Sequence, residues 1–417
     1  MALDVAAWLP HFRQFSADTA QEGLCAVQKH LSLERERLKS LLKKYLLSDF
    51  FSTRDWVKKQ GMRGDENKQA SMFGYVTMEE MIPAAHPLRM VRQLVDVALG
   101  QMEPVLAGMY AERGRPSIAP ERLLRAQLLL VLYSIRSEGQ LIEQLRYNFL
   151  YRWFVGLEMN ERVWETSVFS KNRERLIAAE ASQQLLLAVV EQARAQQLLS
   201  EEHFTVDGTL IQAWASRQSF KPRQDAPQRG TGARGRKLLR DTHESTTDPE
   251  ARLFRKSWST AALPSYLGHV ITENRHGLIV VAMASQAGNA AEREAALEML
   301  KRLKRRGPIT LGADKSYQQE VFVRGLREAG VRPHVAEHAP SPYWQNWLSE
   351  DERNDPGLTL SQKKRRLVEK VFGWLKQDRI RQVKLRGLRR VDWLFQLTAA
   401  AHNLLRLSRL IPIPALA

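Results

Sequence analysis

Three acids in this chain sit where metal-assisted phosphoryl chemistry would need them. In "HFTVDGTLIQAWAS" (203–216), polar Thr205 and Asp207 alternate with apolar Phe204 and Val206. Alternation with β-branched residues predicts a strand, which Gly208 should end. "PITLGADKSY" (308–317) predicts a buried strand ending at Asp314, and "SQKKRRLVEKVFGWLKQ" (361–377) predicts a helix bearing Glu369. Carboxylates are hard oxygen ligands. Two at adjacent strand ends and one on a facing helix could hold two divalent cations about 3.5–4 Å apart, clamping both oxygens of an in-line displacement. Asp before Gly also suits a plain turn, which leaves Asp207 open to a structural reading.

The helix offers a test of Glu369. At about 100° per residue, Gln362, Arg365, Glu369 and Lys376 fall on one stripe. The stripe borders the apolar face of Leu367, Val368, Val371, Phe372, Trp374 and Leu375. A carboxylate at that rim can reach the edge of a sheet beneath. The competing reading is a surface ladder, Arg365 with Glu369 at i,i+4.

The remaining elements must carry these acids. With 417 residues the chain has room for two or three domains, and 44% hydrophobic content supports a sizeable core. Residues 1–61 read as a separate helical extension, with leucines at helical spacing in "SLERERLKSLLKKYLL". Residues 62–81 read as a polar linker, and 82–200 as a helical DNA-binding domain. There, "PSIAPERLLRAQLLLVLYSIRSEGQLIEQLRYN" predicts a helix from Pro120, a turn near Ser137–Gly139 and a second helix. "WETSVFSKNRERLIAAE" predicts a helix capped by Thr166 or Ser167. Its Lys171, Arg173 and Arg175 could enter a DNA groove or form an ordinary solvated face.

From 201 to 410 the pattern becomes strand, hairpin turning at Asn274–Gly277, helix, strand, helix, strand, helix, which is α/β. Residues 216–260 read as a mobile basic insertion. After Glu369, "RIRQVKLRGLRRVDWLFQLTAAAHNLLRLSRL" predicts mostly helix. Glu292 and Glu294 fall on a charged helix and read as solvated. Trp344 and Trp347 read as core or as base-stacking residues. The histidines His203, His269, His276, His334 and His402 show no zinc spacing.

A formal charge of +17 points to a polyanion, nucleic acid before membrane. No apolar run approaches the ~20 residues of a membrane span, and "MALDVAAWLPHFRQF" lacks the basic start and long apolar run of a signal peptide. The single cysteine, Cys25, excludes an internal disulfide and a thiolate zinc cluster, so a reducing, cytoplasmic compartment is expected. No GxxxxGK[ST] motif is present, so ATP is not implied.

"HFTVDGTLIQAWAS", "TTDPEARLFRK", "ITLGADKSY" and "RRLVEKVFGWLK", in that order, resemble a bacterial insertion-sequence transposase of the DDE type, in the InsH-like (IS-five) group. The likeness spans residues 62–410. It implies an α/β RNase H-like catalytic core, a mixed sheet flanked by helices, preceded by an all-α N-terminal region. It also implies that Asp207, Asp314 and Glu369 bind two Mg²⁺ ions, with Mn²⁺ as substitute. The family signature sets arginine four before the glutamate and lysine seven after, and Arg365 and Lys376 fit. The tyrosine usual at seven before is Gln362 here. Lys315, Arg365 and Lys376 are candidates for holding phosphate, with routine surface charge as the other reading for both lysines. The implied reaction is cut-and-paste transposition on double-stranded DNA: hydrolysis at the element end, then attack of the freed 3′-hydroxyl on target DNA. The implied setting is a homo-oligomer on DNA, nucleoid-associated, with no membrane. Two alternatives are a transposase-derived DNA-binding protein that no longer cuts and a stand-alone metal nuclease of the same fold. "MRGDENKQASMFGYV" begins the family-like sequence, and 1–61 reads as accessory. Asp248 and Glu250 are reserve candidates for positioning metal or strand.

Overall fold

A computed structural model of the chain describes residues 76–111, 117–222, 243–255, 260–339, 345–377 and 380–411. The expected extension (1–61), the expected linker up to residue 75, the Arg-rich middle of the insertion (223–242) and Trp344 lie outside the described residues.

Eight helices come first: α1 Met78–Met81, α2 Pro87–Gln101, α3 Glu103–Ala107, α4 Pro120–Leu132, α5 Glu138–Tyr147, α6 Phe149–Val155, α7 Thr166–Ala178 and α8 Ala181–Ala195. Proline opens α2 and α4, where its missing N–H costs nothing. Ser137 caps α5 by accepting from Gln140 N at 3.2 Å, so the turn after α4 lies where the sequence placed it. The expected cap of α7 does not form. Its N-cap is Glu165, with no side-chain cap bond, and Thr166 is already helical.

The sheet follows: β1 His203–Ala213, β2 Phe220–Pro222, β3 His243–Ser245, β4 Arg252–Phe254, β5 Leu263–Glu273, β6 Ile279–Gln286, helix α9 Ala291–Arg302, β7 Ile309–Ala313, α10 Glu320–Glu328 and β8 Val331–Val335. Then come α11 Glu350–Arg353, α12 Pro356–Arg365, α13 Leu367–Leu375, β9 Gln382–Val383 and α14 Leu388–Leu410. Across the main sheet the order is β6-β5-β1-β7-β8, with β4 extending β5 and β9 pairing β1. β5 is antiparallel to β1 and β6; β7 is parallel to β1 and β8. This mixed order is the RNase H-like topology. The hairpin between β5 and β6 turns where expected, with Gly277 at φ +73°. Its anchor is the buried Glu273, whose carboxylate accepts from the backbone N–H groups of Ser200, Arg275, His276 and Leu278.

Four further expectations change. β1 does not stop at Gly208; it runs on to Ala213. The predicted 361–377 helix is two helices meeting at Arg366 (φ −58°, ψ −16°). Lys363, Lys364 and Arg365 occupy the last turn of α12 and Glu369 the first turn of α13. Those are the ends at which the helix dipole favours each sign, so the break is electrostatically consistent. The C-terminal basic segment starts with a short strand, β9, before its helix. Within 216–260, the described flanks are ordered as the β2–β3 ladder and β4.

Val76–Ala417 forms one compact unit. α14 joins its halves. One side packs on β5 and β6: a Cβ at Gly268 would lie 2.6 Å from Phe395. The other side packs on α8, where Ser182 Oγ donates to Gln396 Oε1 at 2.9 Å. Helices and sheet share a single hydrophobic cluster. α9 packs on β1, β5 and β6.

Candidate active site

The register of β1 and β7 brings the two aspartates together. Thr205 pairs with Gly312 in a parallel ladder. Continued by two residues, that register sets Asp207 opposite Asp314, the first residue after β7. Paired strands lie about 4.8 Å apart. The β1–β7 ladder stops at Thr205, and β1 next meets β9 at Gln212. Between those points this edge of β1 has no strand partner among the described residues, so a gap opens beside Asp207.

Side-chain alternation sets the face. A Cβ at Gly312 would lie 3.2 Å from Thr205 Oγ1 and 3.8 Å from Ser361 Cβ of α12. Gly268, opposite Thr209, faces Phe395 of α14. Thr205, Asp207 and Thr209 therefore look toward α12 and α14. α13, carrying Glu369, packs against β1 and α14. Burial of Val368, Val371, Phe372 and Leu375 seats it, each worth about 1.5–3 kcal/mol. An i,i+4 charge pair is worth only about 0.2–0.5 kcal/mol. The surface ladder is absent in any case: Arg365 Nε donates to Gln362 Oε1 at 3.3 Å, and no ion pair joins it to Glu369.

Asp207 and Asp314 are half-buried, and Glu369 is exposed. Gly208 N donates to Asp207 Oδ1 at 2.7 Å. Asp314 caps a short 3₁₀ turn: its Oδ1 accepts from Ser316 N at 2.8 Å and from Ser316 Oγ at 2.5 Å. Gln362 stands where the family has tyrosine, and it has a local task. Its Nε2 donates to Ala313 O at 3.1 Å and His334 O at 2.6 Å, tying α12 to the ends of β7 and β8. His334 adds a second tie, with Nδ1 2.6 Å from Ser361 Oγ and Nε2 3.2 Å from Asp355 Oδ2.

The donor set is all oxygen, which suits a hard divalent cation. Among the described residues, however, no three His, Cys, Asp or Glu side chains are grouped to hold a metal ion. The two aspartates are in register on one face; Glu369 is on the helix beside them.

The basic candidates separate. Lys171 is exposed. Arg173 is not presented to a groove: it is 15% exposed and ion-paired with Glu138 and Glu174. Arg175 donates to Asn172 Oδ1 at 3.3 Å and lies over the Tyr110 ring. Arg173 is thus engaged in helix packing, whereas Arg175, like Lys171, is exposed on the helix surface. Lys315 is exposed beside Asp314, and Lys376 caps α13.

The reserve acids are structural. Asp248 is buried; its Oδ1 accepts from Tyr266 Oη at 2.7 Å and Gly387 N at 3.1 Å. Glu250 Oε2 accepts from Leu388 N at 2.8 Å. Both hold the start of α14.

Sequence reasoning missed Glu292. It is half-buried, and its Oε1 lies 2.8 Å from where a Cβ on Gly208 would be. Gly208 is thus a glycine inside a strand, with the Glu292 side chain packed over it, rather than a turn glycine.

The seven-stranded mixed sheet flanked by helices has the RNase H-like architecture of nucleic-acid phosphoryl-transfer proteins, with Asp207 and Asp314 at the ends of neighbouring pairings. Residues 200–404 match the family described as Transposase DDE domain, and residues 76–175 match Transposase domain (DUF772). The chain is a DNA transposase of the DDE type. Neither the binding-only derivative nor the stand-alone nuclease is favoured by these matches. No curated protein matches the chain. Among solved structures, the piggyBac transposase synaptic complex with hairpin DNA aligns over 77% of this chain and 75% of its own, at 8% identity and TM-score 0.33. The Mos1 strand transfer complex aligns over 64% and 79%, at 14% identity and TM-score 0.18. The Mos1 mariner paired end complex with Mn aligns over 64% and 80%, at 14% identity and TM-score 0.19. These TM-scores are too low for the superpositions to bear on the site. Among the described residues, no helix is long and apolar enough to cross a membrane.

Proposed function

We propose that this transposase belongs to the insertion-sequence group of the InsH-like (IS-five) type, and that Asp207, Asp314 and Glu369 are its catalytic carboxylates, holding two Mg²⁺ ions or Mn²⁺ in their place. The observation that carries this reading is the register that sets Asp207 opposite Asp314, on the face covered by the helix bearing Glu369. When bound, the ions supply Lewis acidity to a phosphodiester and activate the attacking hydroxyl. The chain's own part is positioning. β1 and β7 fix two carboxylates on a rigid sheet. Gln362 and His334 clamp α12 across the strand ends, which sets the start of α13 and so Glu369. Lys315 and Lys376 neutralise phosphate beside the acids. Phosphoryl transfer asks for such placement and charge more than for covalent help.

The substrate is double-stranded DNA at the element ends and then at the target, cleaved and joined by a homo-oligomer in the nucleoid. The cations support a DNA path along α12. Lys363, Lys364 and Arg366 are exposed, and none has a side-chain partner among the described residues. They follow the helix that abuts β7 and β8, so DNA held there passes the aspartates. Lys171 lies in the helical region and is a weaker candidate for a further phosphate contact.

Asp207→Asn, Asp314→Asn and Glu369→Gln each remove a charge and almost no volume. Each is expected to lower cleavage of end-bearing DNA to below about one-hundredth of wild type, with end binding retained. Incubation with Mg²⁺ and mapping of cut and joined products checks this. A folded Glu369→Gln protein that cuts at the wild-type rate removes Glu369 from the site.

A further inference from the structure

One edge of β1 changes partner along its length. β5 holds the opposite edge from Phe204 to Gln212. On the edge beside Asp207, β7 pairs as far as Thr205 and β9 takes over at Gln212. β9 therefore closes the far end of the gap, and it brings charge with it. Arg381 precedes its two residues, and Lys384 and Arg386 follow them. All three side chains are exposed, and none forms an ion pair among the described residues.

Trp214, the first residue after β1, stands beside these cations. It is 47% exposed, and Lys384 Nζ lies over its ring, 5.8 Å from the centroid. The same Nζ donates to Arg136 O at 3.4 Å, which joins the α4–α5 turn and its exposed Arg136 to the patch. Two acids border these residues, and both are engaged. Glu138, two after Arg136, pairs with Arg173. Glu250, beside Gly387, accepts from Leu388 N. A lone exposed aromatic is ordinary. One set among cations that have no acid to meet makes a surface suited to a polyanion.

We propose that Arg136, Trp214, Arg381, Lys384 and Arg386 form a second contact with duplex DNA, away from the reacting bond. The patch lies on the edge of β1 that also carries the gap, so a duplex following that edge meets both. At about 3.3 Å per residue, Trp214 lies about 23 Å along β1 from Asp207 (214 − 207 = 7). Phosphates repeat about every 3.4 Å along one DNA strand, so the patch grips the backbone about seven base pairs from the bond held at the aspartates. The cations neutralise phosphate there, and the open indole packs on the sugar edge. Because β9 and the α4–α5 turn both contribute, DNA held here spans the helical region and the sheet.

The distance rests on the proposed cleavage site at Asp207 and Asp314, and the experiment separates the two. Binding of the full chain to a duplex carrying the element end is followed by fluorescence anisotropy across a salt series. Replacing Arg381, Lys384 and Arg386 together with glutamine should lower the log–log salt slope by about 0.9 per contact, about 2.7 in all. Trp214→Ala should weaken binding about 5–10-fold, as expected for about 50 Å² of apolar surface removed from water, with the slope unchanged. Trp214→Phe should recover most of that loss. Neutral methylphosphonate linkages placed about seven base pairs from the cut should weaken binding by the wild type and not by the triple variant, the coupling expected of groups in contact. An unchanged slope in the triple variant overturns the inference. So does coupling found only at linkages next to the cut. Early melting of both Trp214→Ala and Trp214→Phe shows a packing role for the ring and also overturns it. Asp207→Asn tests the underlying site: loss of cutting alongside an unchanged slope in the triple variant leaves the site standing without the patch. Normal cutting by Asp207→Asn removes the site, and the salt slope then judges the patch by itself.

Discussion

Two basic helices in this chain put their charges to opposite uses. On α7, Arg173 is enclosed by Glu138 and Glu174, and Arg175 lies over Tyr110. On α12, Lys363 and Lys364 point to solvent without partners among the described residues, as does Arg366 at its end. Both helices read alike as sequence: short, polar and rich in cations. The difference lies in what packs beside them. α7 touches α4, α5, α8 and α14, so Arg173 meets an acid on a neighbouring helix, Glu138 of α5. Glu174 is itself shared with Arg390 of α14 at 2.9 Å. α12 packs one side on β7, β8 and β1, and its exposed cations form no ion pair among the described residues, although Glu337 shares a surface pocket with Lys363 and Arg366. A count of positive charges therefore overstates the helical region's claim on DNA and understates that of the helix beside the acids.

The comparison can be broken most directly on α12. Replacing Lys363, Lys364 and Arg366 with glutamine should weaken binding to any DNA sequence by about 10–100-fold at moderate salt. If each touches one phosphate, the log–log salt slope should fall by about 0.9 per contact, about 2.7 in all. Fluorescence anisotropy across a salt series measures both, and an unchanged slope would move the DNA path away from α12.

A smaller effect of a different kind is expected on α7. Arg173→Ala leaves Glu138, 17% exposed, without its cation. The chain should lose about 1–3 kcal/mol of stability, seen in urea unfolding, with the DNA salt slope unchanged. A lower slope with stability intact would return Arg173 to a DNA-facing role.

The smallest expected effect concerns the helix that carries Glu369. Trp374 of α13 meets the His402 ring of α14 edge-on, at 5.4 Å between centroids. Burial first, and then Arg406 and Arg409, hold His402 down to about 4; a bond with Asn403 opposes them. Its folded value lies below its unfolded value of about 6.5. The unfolded chain therefore binds more protons between those limits, and stability from this site is present above about pH 6.5 and lost as pH falls toward 4. Asp392 runs the other way: burial raises it to about 6, so its share is lost as pH rises through 6. The two partly cancel in the wild type. His402→Leu should remove the first, making thermal stability rise on going from pH 7 to pH 5 relative to wild type. Parallel profiles for the two proteins would show that His402 does not titrate on unfolding.

Much of the fold was legible. Strand alternation in 203–207, the apolar run before Asp314 and the stop signals around the β5–β6 hairpin all depend on neighbours within a few positions, and each element formed. Gly208 misled because a strand glycine and a turn glycine look the same locally. The uninterrupted helix expected over 361–377 breaks at Arg366, where a cation run followed by an acid suits two helix ends, a preference that apolar periodicity does not record. Glu292 read as solvated because its helix is charged throughout, and nothing nearby in sequence marks the one side chain that turns onto β1.

By itself the sequence determined where most strands and helices lie, though not all their limits, and which residue types could bind metal or phosphate. Those depend on backbone hydrogen bonding and burial of near neighbours, which periodicity records. Only the tertiary structure decided which charges remain free and which glycine makes room for a carboxylate. Arg173 meets Glu138 from 35 positions away, and Glu292 meets Gly208 from 84 (292 − 208). Contacts at such separations follow from how the layers stack around α14 and β1, and local pattern does not encode that stacking.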